Sequence, residues 1–295
     1  MSLCFSRQAD YGTTEPVQPG SSSQSSARQH FGRALARAFA GAVLFAFPLL
    51  MTMEMWWLGF YLDRVRLFLF LIFTLILLVP LSYFVGFERT GGSSEDVLDA
   101  IVAFGVGAVA AAVMLALFGI IDPSMPATEI VGKIAIQTVP ASIGAIVARG
   151  QLGSAQTDQK AKERKAGYAG QLFIMLAGAV FLTFNVAPTE EMVLIAFKMT
   201  YVHALALILV SIGTLHAFVF ALDFKGTEKS PDEIGFPWLL ISRSIAGYGI
   251  ALIVSLYVLW TFGRTDGASL AQIAMMTTVL GFPAALGAAS ARVII

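Results

Sequence analysis

Eight stretches of this chain are each long and apolar enough to cross a bilayer, and that limits the fold more than any other feature. They cover roughly 38–59, 67–87, 97–121, 130–149, 168–187, 199–222, 237–261 and 269–291, and about 20 apolar residues span the hydrocarbon core as a helix. Only 13% of the 295 residues are charged, 57% are hydrophobic, and the mean hydropathy is +0.77. A water-soluble domain of this length needs far more surface charge, so the solvent for most of the chain is lipid. In lipid every backbone amide needs an internal partner, which leaves helices for spans of this length. The expected class is all-α: a polytopic membrane helix bundle of eight transmembrane helices.

The eight spans fall into two similar sets of four. Residues Ala40, Gly41, Ala42, Val43, Phe47, Thr52, Glu54 and Met55 recur 137 positions later as Ala177, Gly178, Ala179, Val180, Phe184, Thr189, Glu191 and Met192. The stretch 99–122 aligns with 243–266 at an offset of 144, pairing "FGIID" with "FGRTD". "PASIGAIVAR" (140–149) matches "PAALGAASAR" (283–292) at an offset of 143. These blocks predict a tandem parallel 4+4 repeat. An even number of spans per repeat gives both halves the same direction, with a pseudo-twofold axis along the membrane normal. The expected domains are a disordered cytoplasmic tail over 1–35, a first four-helix repeat over 36–149, a cytoplasmic linker over 150–166 and a second repeat over 167–295. The tail is assigned as disordered because its first thirty residues are rich in Ser, Gln and Pro and nearly devoid of aliphatics.

Thirteen Lys and Arg residues fall on the side that holds both termini and four on the opposite side, so both termini are expected in the cytoplasm. A net charge of zero argues against a nucleic-acid partner. The single cysteine, Cys4, precludes an intrachain disulfide, and three histidines make a haem or metal cluster an unpromising reading. The chain carries no H-E-x-x-H, Walker or G-x-S-x-G motif. No enzymatic activity, metal or cofactor is therefore expected.

The residues with chemical potential form two groups. Glu54, Glu190, Glu191, Asp122 and Asp266 are all expected at the outer ends of spans, where a ring of acids would concentrate cations at an outward mouth. The same acids would equally serve as helix ends facing water. Near the cytoplasmic side, Asp99 and Arg243 occupy equivalent repeat positions and His216 lies at a similar depth. Such a cluster would relay protons or lock helices together. Lys133 is expected to snorkel from the fourth span. The small residues of the two "PAxxGAxxAR" endings are expected to pack closely at the interface between repeats.

The stretch "RAFAGAVLFAFPLLMTMEMWW" (37–57) resembles a bacterial family of multi-pass integral membrane proteins with a PLL-x-TME-x-W signature. The resemblance covers about residues 30–295. It implies a bacterial inner (plasma) membrane location and assigns no catalytic or binding residue. The leading functional expectation is a small-solute or cation translocator with its path between the repeats. The alternative is a non-transporting scaffold or sensor. Partners are the lipid bilayer and a small solute or cation, and a homo-oligomer is compatible with either reading. A continuous polar cavity at the repeat interface, containing Glu54 and Glu191, would favour the translocator.

Overall fold

The computed structural model describes residues 21–85, 93–151, 168–226 and 240–294. Among these residues there are helices and no strands. The first half comprises α1 (Ser21–Leu50), α2 (Met53–Tyr61), α3 (Arg64–Val85), α4 (Ser93–Leu117) and α5 (Ala127–Gln151). The second comprises α6 (Tyr168–Val186), α7 (Glu190–Lys198), α8 (Tyr201–Gly226), a π-helical turn (Leu240–Ile245) leading into α9 (Ala246–Thr261), and α10 (Leu270–Ile294). Eight of these helices are long and apolar enough to cross a membrane. The molecule is a multi-pass, all-helical membrane protein. The predicted linker, and residues 1–20 of the predicted tail, lie outside the described residues.

Two expectations change here. Residues 21–35, assigned to a disordered tail, already belong to α1. Pro16, Pro19 and Gly20 precede this stretch, and its Ser, Gln, Ala and Arg residues all tolerate a helix. The first predicted span, 38–59, is two helices and not one. α1 stops at Leu50, and α2 starts after the extended Thr52. The fifth span is followed in the same way by a separate α7 after the extended Thr189.

Each half wraps around its last helix. α5 packs on α1, α2, α3 and α4, and α10 packs on α6, α7, α8 and α9. Glycine allows the tightest of these contacts. A Cβ on Gly41 would overlap Gly144 and Ala148, and one on Gly178 would overlap Gly287 and Ala291. The small residues of the two endings therefore bring α5 to α1 and α10 to α6, within each half and not across the interface as expected. Small residues give close approach to whichever neighbour also lacks a side chain at that level, and those neighbours are Gly41 and Gly178.

α4 and α9 end alike. Gly119 and Gly263 take left-handed φ values of 68° and 73°, a conformation that glycine adopts without steric cost. Around them the Ile120 amide bonds to the Leu115 carbonyl at 2.9 Å, and the Arg264 amide to the Leu259 carbonyl at 2.9 Å. Both ends are Schellman motifs, which recover orphan carbonyls at a helix terminus.

The two halves meet along an aromatic seam. Phe70 on α3 stacks on Phe184 of α6 with centroids 5.3 Å apart, and Phe262 closes on Phe184 at 5.3 Å. Phe73 meets Tyr257 at 4.9 Å. α3 lies in this seam, whereas α8 packs chiefly on the other helices of its own half. A strict twofold would treat the two helices alike. The difference follows from their side chains: 137 positions after Arg66, Phe70 and Phe73 stand His203, Leu207 and Val210, which bring neither phenyl rings nor a guanidinium to the seam.

Gly178→Leu should therefore overpack the α6–α10 contact, at a cost of about 1–3 kcal/mol or more, seen as a lower melting temperature in detergent. Gly249→Ala, where no atom lies within 4 Å of a new Cβ, should leave the melting temperature unchanged or raise it.

Candidate functional site

The break between α1 and α2 follows directly on the first candidate membrane span, Phe31–Leu50. That span is 20 residues long, about 30 Å of helix and so about the thickness of a hydrocarbon core. Glu54 sits in the first turn of α2, beside this break. It opens a separate helix where one continuous span was expected.

A helix end leaves carbonyls without amide partners. Here the chain supplies replacements. The Thr52 hydroxyl and amide donate to the Leu49 carbonyl at 2.8 Å and 3.1 Å. Gln137 on α5 donates to the same oxygen through Nε2 at 3.3 Å. The Trp56 indole N–H donates to the Leu50 carbonyl at 2.8 Å. Leu49, Leu50, Thr52 and Trp56 all belong to the stretch quoted above, so that stretch encodes the break and its capping. The second break repeats the core of this arrangement: Thr189 donates to the Val186 carbonyl from its hydroxyl at 2.9 Å and from its amide at 3.1 Å.

Gln137 belongs to a buried polar row on α5. Glu129, Lys133 and Gln137 follow at i, i+4 and i+8, which is one helix face. Lys133 pairs with Glu129 at 2.7 Å, and the lysine side chain is only 9% exposed. Its Nζ also reaches the Ile120 carbonyl at 3.4 Å and Met125 Sδ at 3.7 Å. Gln137 is 1% exposed, and its Oε1 has no hydrogen-bond partner. Lys133 thus does not snorkel. Its backbone lies where a Cβ on Gly59 would sit, and a Cβ on Gly132 would overlap the Gly59 carbonyl. α2 lies so close on α5 that the lysine is enclosed, and its charge is met by Glu129.

The predicted outer acids have different fates. Glu54 is half-buried and makes no hydrogen bond or ion pair among the described residues. Glu190 and Glu191 are exposed in the first turn of α7, where a helix N-terminus favours negative charge. Glu190 pairs with Arg264 at 2.8 Å, and Arg264 also donates to the Pro188 carbonyl at the second break at 2.6 Å. Asp266 forms a bidentate pair with Arg66, both bonds 2.9 Å, which ties the second half to the start of α3. Arg66 also donates to the Trp260 carbonyl at 3.0 Å and lies over the Trp260 ring. Asp122 accepts from the Ser124 amide at 2.7 Å, a hydrogen bond that holds its carboxyl below the ordinary value. Glu190 and Asp266 are thus held by guanidinium groups.

In the second expected cluster, Arg243 sits on the π turn, and the neighbouring Ser244 is fully buried. His216 Nδ1 lies 2.9 Å from Ser244 Oγ. Asp99 is half-buried near the start of α4, and Asp99 and Arg243 each keep an interaction partner. π turns recur at functional positions in helices, and sequence reasoning assigned none here. No group of three or more His, Cys, Asp or Glu side chains is placed to hold a metal among the described residues.

Between the halves lies a small cleft of about 80 Å³ lined by α1, α3, α5, α6 and α10. Its walls are apolar apart from Ser290, and neither Glu54 nor Glu191 lines it. The seam thus lacks, in this cleft, the polar lining that a path between the halves requires.

Residues 34–295 match the model of the family described as "Putative integral membrane protein (DUF2391)". The chain belongs to this family. No curated protein and no solved structure matches it.

Lys133→Met should strand the Glu129 carboxylate and lower stability by about 3 kcal/mol, typical for one partner of a buried pair. Lys133→Met with Glu129→Gln should recover most of that loss. At an offset of 143 the second half itself carries Gln272 and Met276. Chemical denaturation of the two single variants and the double variant measures the coupling, and additive losses would rule it out.

Proposed function

We propose that this family member translocates a small polar solute or cation, by a path that follows α5 past the α1–α2 break. The observation that carries this reading is the row Glu129, Lys133 and Gln137, with Lys133 and Gln137 buried in the bundle and Gln137 ending at the break between α1 and α2. Ionisable residues inside a membrane are costly and mark solute or proton routes. Interrupted helices in corresponding positions of two halves are the usual pointer to a transporter's binding site, and α1–α2 and α6–α7 fit that description. In this reading Glu54 is the binding carboxylate, since it stands beside the break with no protein partner among the described residues. Gln137 Oε1 is a second acceptor, and Lys133 is the resident charge that a passing cation or proton displaces. His216 and Arg243 belong to a separate control point at the π turn. The excess of Lys and Arg at one end sets both termini in the cytoplasm, and the halves are a tandem parallel repeat whose symmetry α3 breaks.

The test is flux in proteoliposomes over a panel of monovalent and divalent cations and small polar solutes. Glu54→Gln should reduce transport at least tenfold with little change in melting temperature. The stable double variant Lys133→Met/Glu129→Gln should abolish it. Wild-type flux in both variants, or no flux of any panel member by the native protein, would favour a non-transporting scaffold or sensor.

A further inference from the structure

The cleft between the halves lies apart from the route proposed above, and its lining has a chemistry of its own. Its walls include Phe45 on α1, Val147 on α5, Gly178 and Phe181 on α6, and Gly287 and Ala291 on α10. The Phe45 and Phe181 rings meet 5.1 Å apart. Ser290, the polar side chain in the lining, spends its hydroxyl on the Gly287 carbonyl at 3.2 Å. Nothing in this cleft offers water a network of hydrogen bonds, and ordered buried water needs two to four polar partners. Within a bilayer, such a space takes hydrocarbon.

Its depth selects which hydrocarbon. Val147 precedes Arg149 by two residues and Ala291 precedes Arg292 by one, so the cleft begins at the arginine-rich end of the bundle. Ile143, another lining residue, lies six residues from Arg149, about 9 Å deeper along α5. The cleft thus runs within a single leaflet, which is about 15 Å of hydrocarbon. Arg37 stands eight residues before Phe45 on the same i, i+4 row of α1, about 12 Å toward the leaflet surface. Arg33 continues that row one turn further, and both arginines are exposed.

We propose that the cleft is a binding site for one anionic phospholipid, with an acyl chain between the halves and its phosphate on Arg37 and Arg33. Arginine suits this role because its planar fork pairs bidentately with phosphate oxygens. Charge complementarity selects an anionic headgroup over a zwitterionic one. The lipid fills the gap that the α3 seam leaves beside the glycine contacts of each half.

Native mass spectrometry of the full-length protein tests this, with phosphatidylglycerol and phosphatidylcholine of identical acyl chains as probes. One phosphatidylglycerol should be retained in preference to phosphatidylcholine. Arg33→Gln and Arg37→Gln should each weaken phosphatidylglycerol about fivefold, the effect of one basic residue near a charged surface, and leave phosphatidylcholine unchanged. Leu182→Trp, which plugs the lining, should remove retention of both lipids; Ala177→Leu fills the same wall if the tryptophan variant does not fold. Equal retention of the two lipids by the native protein, or retention undiminished by a plug, would overturn the proposal. So would a concentration-dependent dimer that the plug abolishes, which would assign the cleft to a second copy.

Discussion

The hydrogen-bonding demand of the broken stretch between α1 and α2 organises this structure. Where α1 ends at Leu50, side chains take up the free carbonyls of Leu49 and Leu50. Thr52 and Trp56 are close enough in sequence to fold back, but Gln137 has to be delivered from α5. That requirement fixes α5 at the centre of its half and sets its register against α1. The Gly41–Gly144 contact further along then follows, because two helices held at Gln137 and continuing inward must approach closely.

The two breaks share their innermost bonds and differ in what surrounds them. At the first, a buried amide and a buried ammonium come from α5. At the second, the corresponding positions are Met276 and Leu280, and the cation arrives from the preceding loop as Arg264. The Schellman turn after α9 places Arg264 where Ile120 stands in the first half. The two halves thus differ here: α5 carries Lys133 and Gln137 where α10 carries Met276 and Leu280. α3 adds a further asymmetry. Its rings and Arg66 form the joint, whereas the corresponding positions of α8 carry aliphatic side chains and a histidine.

The number of spans and the all-helical class were legible because each span is a continuous apolar run. The interruptions were harder to see. Pro48 lies inside α1, which continues through it to Leu50, since the first break depends on Thr52 and its capping partners. Pro188 lies between α6 and α7. The polar row was missed because Glu129, Lys133 and Gln137 sit near the outer end of a span rich in Ala and Gly. There a lysine reads as a surface residue unless its neighbours are known. Recognising that Gly59 and Gly132 remove the side chains which would hold α2 away from it required the packing. The arginine partners of Glu190 and Asp266 were not legible from spacing, since Arg264 and Arg66 stand 74 and 200 residues away in sequence.

The contact between Gly59 and Lys133 has a mechanical consequence. No side chain cushions α2 against α5 at this level, so the residue that bears the buried charge is also the one whose main chain supports the neighbouring helix. A change in the electrostatic surroundings of Lys133 that shifts its turn of α5 acts directly on the backbone of α2, and through it on the interrupted segment. Charge and position are coupled there as in a lever with its load resting on the fulcrum.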